Sequence, residues 1–357
     1  MVDNVFCPFI NVSFQEARIG IITAANGDPV VSGEYYVDMF TRYQVAEAVW
    51  IPVTIDDTDA AHSPEIVDLV RSMTGIFLGG GEPWRLAASL MMVEDGVRVD
   101  TPVMEAIRDN MEAGGLLGGT SAGIMALTDT VTITGGNSWE ALAFGGQEDS
   151  LETDPVNGAN LTYDGLGGLW IVEDVLIDAH FTEKARQGRL VRLAAETGVR
   201  RAIGVDEDTG LLCQDLVCTV IGSAGVWLLD MEAAVEDNDG GYWSCNNSMT
   251  SYITNGDTID LSSWSVEFAD NKQELVEDEN IAVDTSEDIF KYRAEPSEYV
   301  KVVNSLLMSV DDTTNGSTLE SEPVQYELVF RKTEETSAVQ NDDGMISYMN
   351  VPVDILY

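Results

Sequence analysis

The chain of 357 residues carries 62 acidic side chains against 18 basic ones, which gives a formal net charge of −44. Such an imbalance excludes nucleic acid as an expected partner, because phosphate binding needs a basic face. A hydrophobic content of 45% argues against disorder, and neither a membrane-spanning stretch nor a signal-like N-terminus is visible. We therefore expect a soluble, cytoplasmic protein. Acidic residues spread over the whole chain are typical of proteins from high salt, although an acidic protein of an ordinary cytosol would have the same composition.

Cysteine and histidine are scarce, which limits the chemistry that the chain can perform. There is no C-x-x-C motif, and two histidines, His62 and His180, cannot form a zinc site of the usual spacing. We expect neither a metal nor another cofactor. Cys213 and Cys218 could face each other across a hairpin, but we expect reduced thiols in the core. The remaining cysteines are Cys7 and Cys245.

The N-terminal part of the chain alternates strand and helix patterns. Short apolar runs predict strands, and apolar residues at helical spacing predict helices, one of them capped by Ser63 with Pro64 at its first position. In chain order we predict strand 17–23, helix 33–48, strand 49–55, helix 64–73, strand 75–78, helix 102–113 and strand 115–118. This alternation indicates an α/β fold with a mostly parallel sheet flanked by helices, in which ligands bind at the carboxyl ends of the strands.

A G-x-S-x-G pentapeptide, residues 119–123, follows the last of these strands. This pattern is typical of a serine held on a tight turn between a strand and a helix, with its hydroxyl exposed. Ser121 is therefore a candidate nucleophile, and amides at the start of the next helix could stabilise an oxyanion. Gly79, Gly80 and Gly81 end the neighbouring 75–78 strand at the same predicted edge.

The middle of the chain begins with residues 134–163, whose polar and glycine-rich composition predicts a long loop. The elements predicted after it are strand 174–179, helix 185–197, strand 201–205 and several short strands within 209–230. Beyond residue 230 the pattern changes to short polar-interrupted segments, with strands at 324–331 and 346–353 and a helix at 297–309. We therefore divide the chain into a domain of residues 1–230 and a β-rich C-terminal extension or small second domain, residues 231–357.

Three predicted strand ends supply the parts of a nucleophilic site. Ser121 follows one strand, His180 follows the 174–179 strand as a candidate base, and Glu207 follows the 201–205 strand as the acid that would orient the histidine. Each part has an ordinary structural interpretation: a satisfied core histidine, a solvated acidic turn or metal patch at 206–208, and a tight glycine turn. Their convergence on strand ends favours catalysis.

Cations are concentrated after the candidate base, where a cationic cluster in so acidic a chain indicates a place for a substrate carboxylate. Lys184 is the only lysine before residue 272. For Arg192, Arg200 and Arg201 we favour pairing with acids on a helix face. The window from 180 to 201 holds six of the 18 cations: Lys184, Arg186, Arg189, Arg192, Arg200 and Arg201.

Several segments, in this order, resemble the serine peptidase family that contains cyanophycinase and the bacterial aspartyl dipeptidases. The resemblance covers residues 17–230. It implies a fold like that of class I glutamine amidotransferases (flavodoxin-like), the triad Ser121, His180 and Glu207, an oxyanion hole formed by the Gly80 and Ala122 amides, and a homodimer. The segments that carry it are 77–81, 118–123, 165–167, 178–181, Arg186 with 188–190, and 203–209.

Departures from the family pattern are confined to the expected substrate pocket. Gly81 and Glu82 stand where cyanophycinases usually have an acid or amide followed by glutamine, Ala179 replaces a glutamine, and Lys184 replaces an arginine. The resemblance implies a serine exopeptidase that cleaves β-Asp-Arg units of cyanophycin. The alternatives are an aspartyl dipeptidase, a small-molecule esterase or amidase, and a catalytically silent binding or structural relative. The residues expected to bind the charged substrate ends are Glu82, Asp178, Lys184, Arg186 and Arg189.

Overall fold

Two large β-sheets carry most of the chain in a computed structural model that describes residues 5–6, 16–148 and 158–357. The first strands are β1 (Val5–Phe6), β2 (Arg18–Ile22), β3 (Glu47–Trp50), β4 (Gly75–Leu78), β5 (Met91–Glu94), β6 (Val97–Asp100), β7 (Leu116–Gly119), β8 (Thr132–Gly135), β9 (Gly146–Glu148), β10 (Leu161–Asp164), β11 (Val175–Ala179) and β12 (Arg201–Val205). The later strands are β13 (Thr209–Gln214), β14 (Val217–Gly222), β15 (Gly225–Asp230), β16 (Val235–Asp237), β17 (Ser244–Thr254), β18 (Thr258–Asp260), β19 (Ser265–Glu267), β20 (Gln273–Glu274), β21 (Thr313–Ser317), β22 (Glu327–Arg331), β23 (Ser337–Gln340) and β24 (Ile346–Leu356).

Helices connect these strands. They are α1 (Pro29–Arg42), α2 (Pro64–Arg71), α3 (Pro83–Leu90), α4 (Pro102–Glu112), α5 (Ala122–Met125), α6 (Ser138–Phe144), α7 (Gln187–Thr197) and α8 (Glu298–Met308), with a 3₁₀ helix at Thr58–His62. Among the described residues, none of the helices combines the length and the apolar character that a bilayer span requires.

The first sheet has the order β19-β18-β14-β13-β1-β7-β4-β2-β3, and its β7-β4-β2-β3 part is parallel. Successive residues of β2 and β4 point to opposite faces of the sheet. Both faces of this part are buried, as is usual for parallel strands. Ile21 and Phe77 pack against α1, where Phe77 contacts the Tyr36 and Phe40 rings. Ile22 lies on the other face, in the main core with α2 and α4. Helices therefore cover both faces of the parallel strands.

The second sheet has the order β11-β12-β15-β17-β24-β22-β21, of which β11 and β12 are parallel and the others antiparallel. Strands from both sides of residue 230 share this sheet, because β15 pairs with β17 along its length. Helix α8 packs into the same core, where the Tyr299 ring contacts those of Trp227 and Phe330. Residues beyond 230 thus extend a sheet that begins next to the candidate site.

The expectation of a mostly parallel α/β core with helices and a β-rich C-terminal region is confirmed, with local differences. Helix α1 begins earlier than predicted because Asp28 caps it through a 3.2 Å bond from the Val31 N–H, with Pro29 at its first position. The predicted loop at 134–163 contains α6, β9 and β10, while residues 149–157 lie outside the described part. Helix α3 and the β5-β6 hairpin were not predicted.

The expectation that Cys213 and Cys218 are reduced is wrong, because the two form a disulfide. They stand directly opposite each other in the β13-β14 register, which brings their Cα atoms to 3.9 Å. Cys245 is a buried free thiol, and burial raises its pKa to about 12. Cys7 lies outside the described residues.

Candidate active site

Ser121 occupies a sharp turn between β7 and α5, with φ 51° and ψ −117°. The small residues of the pentapeptide allow this turn, because α5 passes close to the preceding strands. A Cβ on Gly123 would stand 2.2 Å from the Leu78 carbonyl oxygen, and one on Gly119 would stand 2.8 Å from the Gly123 backbone. Glycine is therefore required at both positions for steric reasons, and the turn leaves the serine partly exposed.

His180 connects the serine to Glu207. Its Nε2 lies 2.9 Å from Ser121 Oγ, and its Nδ1 lies 2.9 Å from Glu207 Oε1. His180 itself has φ 48°, a left-handed conformation that turns the ring away from β11 toward the serine. The three residues predicted from separate strand ends are thus brought into one hydrogen-bonded chain.

His180 and Glu207 come from the second sheet and Ser121 from the first, whereas the sequence predicted a single sheet edge. His180 and Glu207 lie close together because β11 and β12 are parallel neighbours whose last residues, Ala179 and Val205, pair in register. The segment 206–208 then leads from β12 into β13 of the first sheet. The site therefore lies where the carboxyl ends of strands from two sheets meet.

The pKa of His180 is lowered from its ordinary value, chiefly by burial and then by the positive charges of Lys184 and Arg186. Glu207 acts in the opposite direction, because its hydrogen bond and charge favour the imidazolium. The imidazole is consequently neutral at neutral pH, which is the form that can accept a proton from Ser121.

Glu183 and Arg293 surround the acid and were not predicted. The Glu183 Oε1 atom accepts the backbone N–H of Glu207 at 2.9 Å, and the Glu183 carbonyl accepts the Arg293 N–H at 2.7 Å. Arg293 Nη2 lies 3.6 Å from Glu207 Oε1. Burial, followed by the negative charge of Asp206, raises the pKa of Glu183 to about 8. A protonated carboxyl group thus supports the loop of the acid.

Asp206 anchors the same loop from inside the protein. It is buried, and its oxygens accept the Tyr252 hydroxyl at 2.6 Å and the Thr182 N–H at 2.8 Å. Burial raises the pKa of Asp206 to about 6. Because Tyr252 lies in β17, a residue of the C-terminal part helps to fix the strand ends that carry His180 and Glu207.

The glycine segment after β4 lies beside the serine. A Cβ on Gly80 would stand 3.2 Å from Ser121 Cβ and 3.8 Å from Ser121 Oγ. Gly81 has φ 143°, and a Cβ there would stand 2.1 Å from the Ala25 carbonyl oxygen, which itself accepts the Glu82 N–H at 2.9 Å. Ala122 is fully buried directly after the serine. The backbone of Gly80 is therefore close to where a substrate carbonyl would meet Ser121.

Of the five predicted charged pocket residues, Asp178 and Arg189 are buried, whereas Lys184, Arg186 and Glu82 are half-buried, Glu82 directly before α3. Asp178 is fully buried and binds Arg189 through two bonds of 2.6 and 2.8 Å and Arg186 through one of 3.0 Å. Burial raises the pKa of Asp178, but the Arg189 and Arg186 charges outweigh this effect and hold it below its usual range. Lys184 is half-buried and close to His180, whose carbonyl accepts the Lys184 N–H at 3.2 Å.

The chain is similar in sequence to known cyanophycinases. No family model matches the chain. The cyanophycinase of Geminocystis herdmanii is 31% identical over 227 residues, which cover 63% of this chain and 74% of that protein. That of a Nostoc species is 30% identical over 63% of this chain and 67% of that protein. A solved peptidase structure from an acI-B1 Actinobacterium aligns at 23% identity with a TM-score of 0.46, covering 68% of this chain and 83% of that one.

These relatives make the chain a hydrolase of the peptidase class. Within that class, it belongs to the cyanophycinase family.

Proposed function

We propose that the protein is a serine exopeptidase that hydrolyses β-aspartyl-arginine peptides of the cyanophycin type. The observation that carries this proposal is the continuous hydrogen-bonded chain from Ser121 Oγ through His180 to Glu207, with both distances at 2.9 Å. A serine, a base and an acid in this geometry are what nucleophilic acyl transfer requires.

The reaction begins when the Ser121 hydroxyl donates its proton to His180 Nε2 and its oxygen attacks the scissile amide carbonyl. The amides of Gly80 and Ala122 stabilise the oxyanion that forms, since both lie next to the serine. Glu207 accepts the Nδ1–H bond and stabilises the imidazolium. The imidazolium then protonates the leaving amine, and water activated by the same histidine releases the acyl group from Ser121.

The parallel strands β3, β2, β4 and β7, with the serine turn after β7, support a fold of the class I glutamine amidotransferase type. In this arrangement residues 1–230 form the catalytic part and residues 231–357 the β-rich extension. Lys184, Arg186 and Glu82 contact the charged ends of the substrate, while Asp178 and Arg189 hold Arg186 in place. The relatives named above are cyanophycinases, which is why β-Asp-Arg units are the first substrate to test.

A second candidate is an aspartyl dipeptidase. Gly81 supports it, because cyanophycinases usually have an acid or amide there, whereas a side chain in this protein would meet the Ala25 carbonyl at 2.1 Å. A pocket that lacks this side chain would make fewer polar contacts with a long polymer and would favour a small substrate.

The test compares the wild type with Ser121→Ala on cyanophycin and on α- and β-aspartyl dipeptides, in low and in molar salt. We expect the wild type to release β-Asp-Arg and the variant to lose about 10⁶-fold in kcat, the loss seen when a triad serine is removed. Ser63→Ala is the matched control, because its hydroxyl is exposed and bonds only Glu65. Cleavage of dipeptides without the polymer favours the dipeptidase, and silence on every substrate contradicts both candidates.

A further inference from the structure

A short segment of the C-terminal part, residues 290–293, lies against the candidate active site. Its Arg293 N–H donates to the Glu183 carbonyl at 2.7 Å, three residues after His180. The Phe290 ring packs on the start of α7, since a Cβ on Gly188 would stand 2.9 Å from Phe290 Cζ. The preceding Ile289 N–H bonds the Ser317 carbonyl at 2.8 Å and connects the segment to β21. The segment is therefore held at both ends and lies outside residues 17–230.

The side chains of this segment add positive charge beside the triad. The Arg293 guanidinium lies 3.6 Å from Glu207 Oε1 and 3.4 Å from the Tyr292 hydroxyl, and its side chain is 53% exposed. The pKa of Tyr292 is lowered, first by its bond from Arg293 and then by the charges of Arg293, Lys184 and Arg186. Positive charges from two parts of the chain thus act on the phenol.

Among the described residues, the ammonium group of Lys184 is not paired with a carboxylate. Within residues 16–148 and 158–357, no carboxylate oxygen lies within 4.0 Å of its ammonium, although the chain carries a net charge of −44. Burial and the neighbouring Arg186 charge lower the pKa of Lys184. Arg186 and Arg189 already share Asp178. A bound anion would supply the missing partner and relieve the repulsion between the cations.

We propose that Arg293 and Tyr292, together with Lys184, bind a carboxylate of the substrate next to the scissile amide, so that the C-terminal part supplies specificity residues to the active site. This inference rests on the proposed peptidase function. The ligand chemistry follows from the side chains: an ammonium, a phenol and a guanidinium can all donate hydrogen bonds, and Arg293 offers a planar fork that matches a carboxylate.

The experiment measures kcat and KM for a two-unit β-Asp-Arg oligomer, which the wild type should split into β-Asp-Arg, and for the same oligomer with its terminal aspartyl carboxylate converted to a carboxamide. For Arg293→Gln we expect kcat/KM to fall about tenfold or more on the carboxylate form, mostly through KM, and to change little on the carboxamide. Tyr292→Phe should give a smaller loss of the same kind. Lys291→Gln is the matched control, because it removes an equal charge from an exposed neighbour and should change neither parameter.

A binding titration separates this inference from the proposed function. In the Ser121→Ala background, the two-unit oligomer should bind more tightly than its carboxamide, and Arg293→Gln should abolish the difference. No preference for the carboxylate, or an equal loss of kcat on both substrates that leaves KM unchanged, would overturn the inference, since Arg293 would then act only on Glu207. Turnover by the wild type tests the proposed function independently of either result.

Discussion

At the scale of single residues, the proposed catalytic acid, Glu207, depends on a second carboxyl group. Glu207 reaches His180 with its side chain, while its backbone N–H donates to Glu183 Oε1 at 2.9 Å. Glu183 lies near buried Asp206, and two negative charges so close together in the interior would repel each other. The raised pKa of about 8 follows from this arrangement and keeps Glu183 protonated at neutral pH.

The Glu183 carboxyl makes the stability of the protein depend on pH. Its pKa of about 8 in the fold lies above the value of about 4.3 in an unfolded chain, so the folded state binds the extra proton. The stabilising contribution of this proton is therefore fully present when the pH is below the pKa in the unfolded chain. It is lost as the pH rises from there through about 8. The glutamine of the Glu183→Gln variant cannot ionise. At pH 8.5 we therefore expect the free energy of unfolding of the variant to be about 1–2 kcal/mol larger than that of the wild type.

Urea unfolding at pH 5, 7 and 8.5 measures this effect. Asp206, with its pKa of about 6, should leave part of the slope below neutral pH in the variant. The control is Glu65→Gln, an exposed carboxyl whose bond from Ser63 lowers its pKa, so that the pH dependence between pH 5 and 8.5 should be unchanged. An identical slope above pH 6 in Glu183→Gln and wild type would contradict the account.

At the scale of elements, the candidate site is formed by two glycine-rich turns. The turn after β7 presents Ser121, and the turn after β4 brings the Gly80 backbone to it. Both turns require glycine, because neighbouring atoms occupy the space that a side chain would need. The departure of Gly81 from the family pattern thus has a local steric cause.

Gly81→Ala should therefore disturb both stability and turnover. Its Cβ would meet the Ala25 carbonyl at 2.1 Å in a conformation with φ 143°, which L side chains rarely adopt. We expect a loss of about 2 kcal/mol or more in unfolding free energy and a lower kcat, because Gly80 must move with it. The control Gly27→Ala meets nothing within 4 Å and should be neutral in urea unfolding and in turnover. A Gly81→Ala protein with full stability would show that the turn is not constrained as described.

Elements with a strong local signal were predictable from the sequence, and those defined by tertiary contacts were not. Strands β4 and β12 are short apolar runs and were placed correctly. The β5-β6 hairpin had a usable signal in Asp95-Gly96, whose φ values of 52° and 79° suit a tight turn. Helix α3 has only eight residues and comes shortly after three glycines, so its pattern is weak.

The candidate site shows the same division. Ser121, His180 and Glu207 could be proposed because each follows an apolar strand, and strand ends are where sites form. Glu183 looked like a partner for a helix cation, and its role behind Glu207 depends on how β11 and β12 pair. Arg293 is distant in sequence from all three and joins them only through the fold.

At the scale of the whole molecule, the net negative charge is the feature that most affects the stability of the folded state. The net charge of −44 over 357 residues produces strong self-repulsion in the folded state. Salt screens such repulsion, and the Debye length falls from about 10 Å at 0.1 M to about 3 Å at 1 M. The composition therefore predicts a protein that gains stability in concentrated salt.

Thermal unfolding between 0.05 and 3 M NaCl, read out by circular dichroism, measures this gain. We expect Tm to rise by at least about 5 °C, most of it below about 1 M, where screening becomes nearly complete. Sucrose at equal osmolality is the control for solvent effects that do not involve charge. A Tm that stays constant or falls with salt would mean that the acidic surface is not a limiting source of instability.

We propose that His180 and Glu207 activate Ser121 as a nucleophile. The most direct measurement is the labelling of the folded protein by a fluorophosphonate, in which the serine oxygen bonds phosphorus and fluoride leaves, followed by mass spectrometry of the modified peptide. We predict one label per chain, on Ser121, and labelling slower by about 1000-fold or more in His180→Ala. A folded wild type that is not labelled at Ser121, or one labelled as fast as the His180→Ala variant, would contradict the account.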